Sequence, residues 1–477
     1  MDRYELIVIG SGPAGEKAAV KAGYFGYSVA LIEKEKKYGG AGVQTGTIPS
    51  KTLKESALYF SGVYEKGIYG LDYKFSHRAN VDDFMYRKNL VSKELGQEVG
   101  ENLLRHNVEV FRGSASFVDP HIIEIQKKAG TDILIYGKKI LIATGSYPFH
   151  PVNIPFDGKR VHDSDSILEI ERFPNSILVL GAGVIGCEYA TIYSAMGIKV
   201  HLVNNKNEIL GFADHDISDS LISQMMKKDI SIHFNVSVES LIVPEDEDKS
   251  IKVKLTDGQV LKVDMFLFAA GRNGNTRPLK CKNAGLEVTD REALKVNEQF
   301  QTSIPHIYSV GDVIGFPALA STSMDQGRMV VEHMFHAGDL QSVSNIFPYG
   351  IYTIPEISMV GLTEQQTKDK KINYCLGFSR YKDVSRARIV GIQDEGFMKI
   401  IIERESRIIL GVHIIGKLAS EIIHYGLTLV QDKKTIGDVI STVFNYPTLH
   451  DLYKYASYDC LGDLAGHKLK IQELVTK

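Results

Sequence analysis

The sequence predicts an α/β protein with two Rossmann-like dinucleotide-binding domains and a C-terminal α+β domain. Three observations predict it. A strand, a glycine-rich turn, a helix and a second strand open the chain. The same unit recurs from residue 176. Beyond about residue 346 the pattern changes to hairpin strands and helices with no glycine fingerprint. A chain of 477 residues is also too long for one hydrophobic core.

In the first unit, ELIVIG is a continuous apolar run suited to a buried parallel strand. It ends in Gly10-Ser-Gly-Pro-Ala-Gly15, and an alanine-rich helix follows. SVALIEK is the next strand, ending at Glu33. In such a turn Gly10 permits the tight bend, Gly12 lets backbone approach a pyrophosphate, and Gly15 lets helix pack on strand. The helix N-terminus offers free N–H groups to phosphate. Glu33 can accept hydrogen bonds from a ribose diol.

The second unit, SILVLGAGVIGCEYATIYSAMGIKVHLVNNKN, repeats the spacing with Gly181, Gly183 and Gly186. Asn204 follows Gly181 at the same interval that separates Glu33 from Gly10. One glycine fingerprint is weak evidence. Two, each in full strand–turn–helix–strand context, predict two dinucleotide sites.

Other segments return the chain to those sites. KKILIATGS ends a strand at Thr144-Gly145, and DMFLFAAGR ends one at Gly271. HIYSVGD ends at Asp312, which either accepts a hydrogen bond from a ligand hydroxyl or caps the helix beginning near Ala320. Residues 81–107 have helical apolar spacing and are expected to pack on the first sheet. GFMKIIIERESRIILGVHIIG reads as a hairpin, and 419–441 and 447–459 read as helices of an interface domain. The expected boundaries are 1–150 and 276–345 for the first domain in two parts, 151–275 for the second, and 346–477 for the C-terminal one.

The formal charge is −3 with signs well mixed, so no nucleic-acid partner is expected; the lysine-rich end HKLKIQELVTK is too short to change that. The chain starts on a strand rather than a signal peptide, and no apolar run approaches membrane-spanning length. A soluble cytoplasmic protein with no membrane contact is expected. Cys187, Cys281, Cys375 and Cys460 are scattered, which predicts reduced structural thiols and no metal site.

Between the two units lies YGGAGVQTGTIPSKTL, residues 38–53, a loop built to lay backbone along a ligand and then start a helix. With this loop the order GSGPAG, GTIPSK, IATG, GAGVIGCE, AAGR, IYSVGD and FNYPT resembles the two-dinucleotide-binding flavoprotein disulfide reductases over nearly the whole chain. The resemblance implies FAD in the first site, NAD or NADP in the second, and a homodimer or higher homo-oligomer built on the C-terminal domain. It implies FAD contacts at Gly10, Gly12, Gly15, Glu33, Lys34, Gly39, Gly40, Ala41, Gly42, Thr47, Lys51, Ala115, Thr144, Gly145, Asp312 and Ala320. It implies nicotinamide-nucleotide contacts at Gly181, Gly183, Gly186, Asn204, Lys206 and Gly271. Lys51 resembles the family lysine near flavin N5, and Glu188 its carboxylate partner; both are implied as catalytic. Without the resemblance, Lys51 reads as a solvated first-turn lysine and Glu188 as a helix-surface charge.

The chain departs from that family at its sulfur chemistry. Gly42 and Thr47 stand where the family carries its two redox cysteines. Tyr446-Pro447 replaces the family's His-Pro, although Asp451 matches the histidine's acidic partner. Thiol–disulfide exchange needs a thiolate, and tyrosine is a poor base near neutral pH. The pattern resembles one branch closely, the soluble FAD-dependent pyridine nucleotide transhydrogenases, through GTIPSK, YTIPEIS (352–358), GDVIG…DQGR (311–328) and FNYPT. That branch implies hydride transfer from NADPH to NAD⁺ through FAD, ping-pong at one nicotinamide site. Neutral Asn204 with Lys206 suits both nucleotides, or is simply a polar turn. Two alternatives stay open: a diaphorase or quinone-type oxidoreductase using room left at Gly42 and Thr47, and a non-catalytic NAD(P)H sensor.

Overall fold

The computed structural model describes residues 1–62, 80–336, 346–392 and 396–466. The lysine-rich end lies outside the described residues.

The first sheet forms around the opening strand. Asp2–Ile9 pairs in parallel with Val29–Glu33 on one side and Ile133–Ile142 on the other. Glu109–Arg112 extends one edge beside Val29–Glu33, and Ile307–Ser309 pairs with the end of Ile133–Ile142. Leu6, Ile7 and Val8 are fully buried, as a strand covered on both faces requires. An antiparallel extension, Ser114–Phe117 and Ile122–Gln126, completes seven strands.

The second sheet is also parallel, in the order Ile230–His233, Lys199–Val203, Ser176–Leu180, Met265–Phe268, Val161–His162. A three-stranded antiparallel sheet (Val238–Ile242, Ile251–Leu255, Val260–Val263) covers it. The chain crosses between the two units through a short antiparallel pair, Ser146–Pro148 with Arg272–Gly274.

Residues 349–415 supply a five-stranded antiparallel sheet that contains the expected hairpin, Phe397–Glu403 with Ile409–Ile415. Helices Ala419–Gln431 and Asp451–Leu464 pack on it around Leu429, Leu452, Tyr453 and Ala456. Among the described residues, no helix is long and apolar enough to cross a membrane.

One packing expectation needs correction. The helix Val81–Arg105 is capped by Asn80 with Asp83 returning the bond, as its sequence suits. It does not simply cover the first sheet. Phe84 and Met85 share a core with Leu53 and Ala57 of helix Thr47–Ser61, and Lys88 donates to Leu168 O at 2.8 Å. Its C-terminal end, through Leu103, is what reaches the first sheet's core. The apolar stripe shows which face is buried, not which neighbour buries it.

Candidate active site

The two glycine fingerprints fold alike. Gly10 has φ +105° and Gly181 φ +109°. A Cβ on Gly10 would lie 2.5 Å from Ala143 O, and one on Gly181 2.8 Å from Ala269 O. A Cβ on Gly15 or Gly186 would fall 1.9 or 1.8 Å from the carbonyl of the first glycine. The fold itself therefore demands the first and third glycines of each set. The middle ones differ. A Cβ on Gly183 would meet no atom within 4 Å, and one on Gly12 only Gly40 Cα at 3.9 Å. Both are helix N-caps with no side-chain cap, so their helices (Pro13–Tyr24 and Val184–Ala195) present free N–H groups.

A cavity of about 1130 Å³ opens where the first sheet, the second unit's helix and the C-terminal sheet meet. Of the expected residues, Gly10, Gly12, Glu33, Lys34, Gly40, Ala41, Gly42, Thr47, Lys51, Ala115, Thr144, Gly145, Asp312, Ala320 and Glu188 line it. Gly15, Gly39, Gly181, Gly183, Gly186, Asn204, Lys206 and Gly271 do not. Gly39, at φ +96°, instead caps the short helix Gly40–Gln44 and donates to Ser11 O at 3.2 Å.

The cavity's charged centre is a pair. Lys51 Nζ lies 2.8 Å from both carboxylate oxygens of Glu188, which is almost fully buried. The backbone N–H of Tyr352 donates to Glu188 Oε1 at 2.9 Å. Neither plain reading of Lys51 or Glu188 as a surface charge survives this geometry. One turn on, Lys54 is buried and paired with Glu356, whose other oxygen accepts from Ser420 Oγ at 2.8 Å. Burial alone would lower the Lys54 pKa; the Glu356 carboxylate raises it instead.

Asp312 lies in the 3₁₀ turn Gly311–Ile314, and the helix Ala320–Phe335 is capped at Leu319. The helix-cap alternative for Asp312 is thereby excluded. Asp312 Oδ2 accepts from Ser146 Oγ at 3.0 Å. Ser146 is held by Arg272, which donates from Nε to Ser146 Oγ at 2.9 Å and from a terminal nitrogen to Ser146 O at 3.0 Å. The same guanidinium reaches Ser164 Oγ at 2.9 Å and Asp165 at 3.3 Å.

Glu33 Oε2 accepts from the Ser11 N–H at 2.9 Å and its hydroxyl at 2.6 Å, which fixes the carboxylate at the cavity wall. Thr144 also lines the cavity, and its Oγ1 is buried with no hydrogen-bond partner. At the second fingerprint, Asn204 Oδ1 accepts from Ala182 N at 3.4 Å and its Nδ2 donates to Glu208 O at 2.7 Å. Lys206 is exposed, 4.0 Å from Glu208.

At Gly42 a Cβ would meet Pro13 Cγ at 2.6 Å. The expectation of spare room at that position is therefore corrected: the proline of the first fingerprint fills it. Thr47 opens the helix Thr47–Ser61. None of the four cysteines lines the cavity, and all are buried. Burial pushes the Cys187 thiol well up and that of Cys281 up to about 11. Tyr446 is exposed and its hydroxyl lies 2.8 Å from Ser385 Oγ, while Asp451 Oδ2 is buried without a partner.

Sequence reasoning gave no role to Tyr352, Ser146, Ser164, Asp165, Arg272, Lys54 or Glu356. Ser146, Arg272, Tyr352 and Glu356 stood inside recognisable motifs, yet nothing in those motifs named a partner for any of them.

Residues 4–327 match the family described as pyridine nucleotide-disulphide oxidoreductase, and residues 347–457 match its dimerisation domain. The soluble pyridine nucleotide transhydrogenase of Mycobacterium bovis (strain BCG / Pasteur) is 38% identical over 97% of this chain and 98% of its own length. The protein of the same name from Hamiltonella defensa is 39% identical over the same shares. Among solved structures, the Cu(II) complex of the HOCl-induced flavoprotein disulfide reductase RclA from Escherichia coli superposes with TM-score 0.86 at 26% identity, covering 96% of this chain and 99% of that one. LpdA from Mycobacterium tuberculosis gives TM-score 0.87 at 23% identity, a likeness of fold, over 96% and 99%. FAD and NAD(P) are the cofactors of such proteins, and the open middle glycines and uncapped helix N-termini fit them. On fold, site and relatives alike, the chain belongs to the pyridine nucleotide-disulphide oxidoreductase family.

Proposed function

We propose that this oxidoreductase transfers hydride between NADPH and NAD⁺ by way of FAD, at one nicotinamide site and with no disulfide relay. The observation that carries the reading is the composition of the cavity. It contains the Lys51–Glu188 pair and both positions where a redox disulfide would stand, and those positions are Gly42 and Thr47. The relatives named as transhydrogenases support it.

Bound FAD would supply a centre that accepts hydride from one nicotinamide and returns it to another. The chain's own residues do the rest. The Pro13–Tyr24 helix N-terminus and Gly12 would hold the pyrophosphate, Glu33 the adenosine ribose, and Asp312 a ribityl hydroxyl. Lys51 places a positive charge where negative charge develops, and Glu188 fixes its position. Asn204 offers no negative charge to repel a 2′-phosphate, and Lys206 can reach toward one, so NAD⁺ and NADPH can share the site. Shared use of one site gives ping-pong kinetics.

We assign residues 1–150 and 276–345 to FAD, 151–275 to the nicotinamide nucleotide and 346–477 to self-association. The test mixes the protein anaerobically with NADPH and an NAD⁺ analogue after alkylation of free cysteines. Reduction of the analogue is expected. Turnover with a quinone but none with the analogue would reject the reading in favour of a diaphorase.

A further inference from the structure

Three chain segments far apart in sequence meet at one aromatic ring. Tyr352, directly after the first C-terminal strand (Tyr349–Ile351), lines the cavity. Lys51 Nζ lies over its ring at 4.9 Å from the centroid, and Lys54 Nζ over the same ring at 5.8 Å. The two lysines are one helical turn apart, so one ring serves both ammonium groups. The backbone N–H of the same residue binds Glu188 Oε1. On the far side the Tyr352 hydroxyl faces the Ser420 side chain, and Ser420 in turn holds Glu356, the partner of Lys54.

We propose that Tyr352 is a positioning residue for the hydride-transfer site, its ring confining the Lys51 ammonium against Glu188. The inference rests on the role given above to Lys51. The physical argument is that a lysine carries four rotatable stem bonds, and its ammonium, still partly exposed here, can leave a salt bridge for water. A π face on its second side attracts the cation and closes that exit. Glu188 alone fixes distance; Glu188 and the ring together fix direction. The hydroxyl is dispensable on this account, because the quadrupole of a phenyl ring does the same.

The test uses the FAD-loaded full chain and the two-electron midpoint potential of its bound flavin, with transhydrogenation kinetics beside it. Tyr352→Phe is expected to stay within about twofold of the parent in kcat and to keep the parent potential. Tyr352→Leu is expected to lower kcat about tenfold with little change in nucleotide KM. It should also lower the potential by about 30 mV, the two-electron equivalent of tenfold weaker stabilisation. If the leucine variant does not retain flavin, Tyr352→Met, which keeps side-chain bulk without a π face, carries the same test. Equal potentials in parent and apolar variants would overturn the proposal, even with activity lost. So would a phenylalanine variant that behaves like leucine. The potential is measured without a second nucleotide, so this inference and transhydrogenation can fail separately.

Discussion

A Cβ placed on Gly42 lies 2.6 Å from Cγ of Pro13. Any side chain at this position, where a disulfide reductase carries a redox cysteine, thus meets the ring that opens the first fingerprint helix. Gly42→Ala should therefore cost about 1–3 kcal/mol as an overpacking substitution. Pro13 must shift, and Gly12 beside it is proposed to cradle the nucleotide, so flavin retention should fall as well. Thermal unfolding and the flavin content of the purified variant check both. Unchanged melting with full flavin would show that the proline gives way freely.

Lys51 and Glu188 are expected to act as a unit. Lys51→Met leaves a buried carboxylate with the Tyr352 N–H at 2.9 Å and the Ser50 hydroxyl at 3.5 Å as partners, and removal of one charged donor at a reacting centre costs about 10²–10³ in kcat. Glu188→Gln keeps the volume and loses the charge. The double variant should be no worse than Lys51→Met alone, because once the lysine is gone the carboxylate has nothing left to position. Additive losses in a kinetic double-mutant cycle would count against the pair.

The outcome for these residues explains what was legible. The fingerprints were readable because each glycine answers a demand of the strand–turn–helix unit: Gly15 and Gly186 meet the carbonyl of the glycine that opens their own turn. The parallel strands were readable because burial on both faces leaves continuous apolar runs. Lys51 and Glu188 are 137 residues apart, and each alone is an ordinary helix charge; only the family resemblance joined them. Arg272 and Ser146 meet across 126 residues through a two-stranded crossover of three-residue strands, too short to carry a pattern. Tyr352 reaches the site from the end of a C-terminal strand, and no period in the sequence encodes that.

Nucleotide selectivity should turn on Asn204. Its amide nitrogen donates to Glu208 O, and its oxygen accepts from Ala182 N. Asn204→Glu keeps an acceptor, adds a charge and loses the donor. The added charge would bind a ribose diol and repel a 2′-phosphate. Steady-state assays should show kcat/KM for NADPH down about 10–100-fold, an estimate from one uncompensated charge, with NADH better retained. A parallel loss for both nucleotides would mean that Asn204 only holds the Glu208 turn.

Stability should depend on Lys399, and with a diagnostic pH signature. Its ammonium is fully buried, 2.8 Å from Asp214, 2.6 Å from Asp216 and 2.7 Å from Glu364, and it ties the second unit to the C-terminal sheet. Burial alone would lower the Lys399 pKa, but the carboxylates, Asp214 first, raise it. Burial would raise Glu364, but hydrogen bonds from Lys368 and Lys399 hold it down to about 2. The signs follow. Glu364, depressed on folding, contributes stability above its unfolded value of about 4.3 that is lost as pH falls toward 2. Lys399, raised on folding, contributes stability below about 10.4 that is lost as pH rises through its folded value. Lys399→Met takes the ammonium from buried Asp214 and leaves it the backbone N–H groups of Asp216 and Glu364 and the neighbouring His413, and should cost about 3–5 kcal/mol near neutrality. In that variant Lys368 still holds Glu364 down, whereas Asp214 has lost its ammonium partner, so acid protonates Asp214 and relieves it. Melting curves of parent and variant at fixed protein concentration should therefore converge as pH falls from 7 to about 4. A deficit that stays constant across that range would assign the loss to packing rather than to charge.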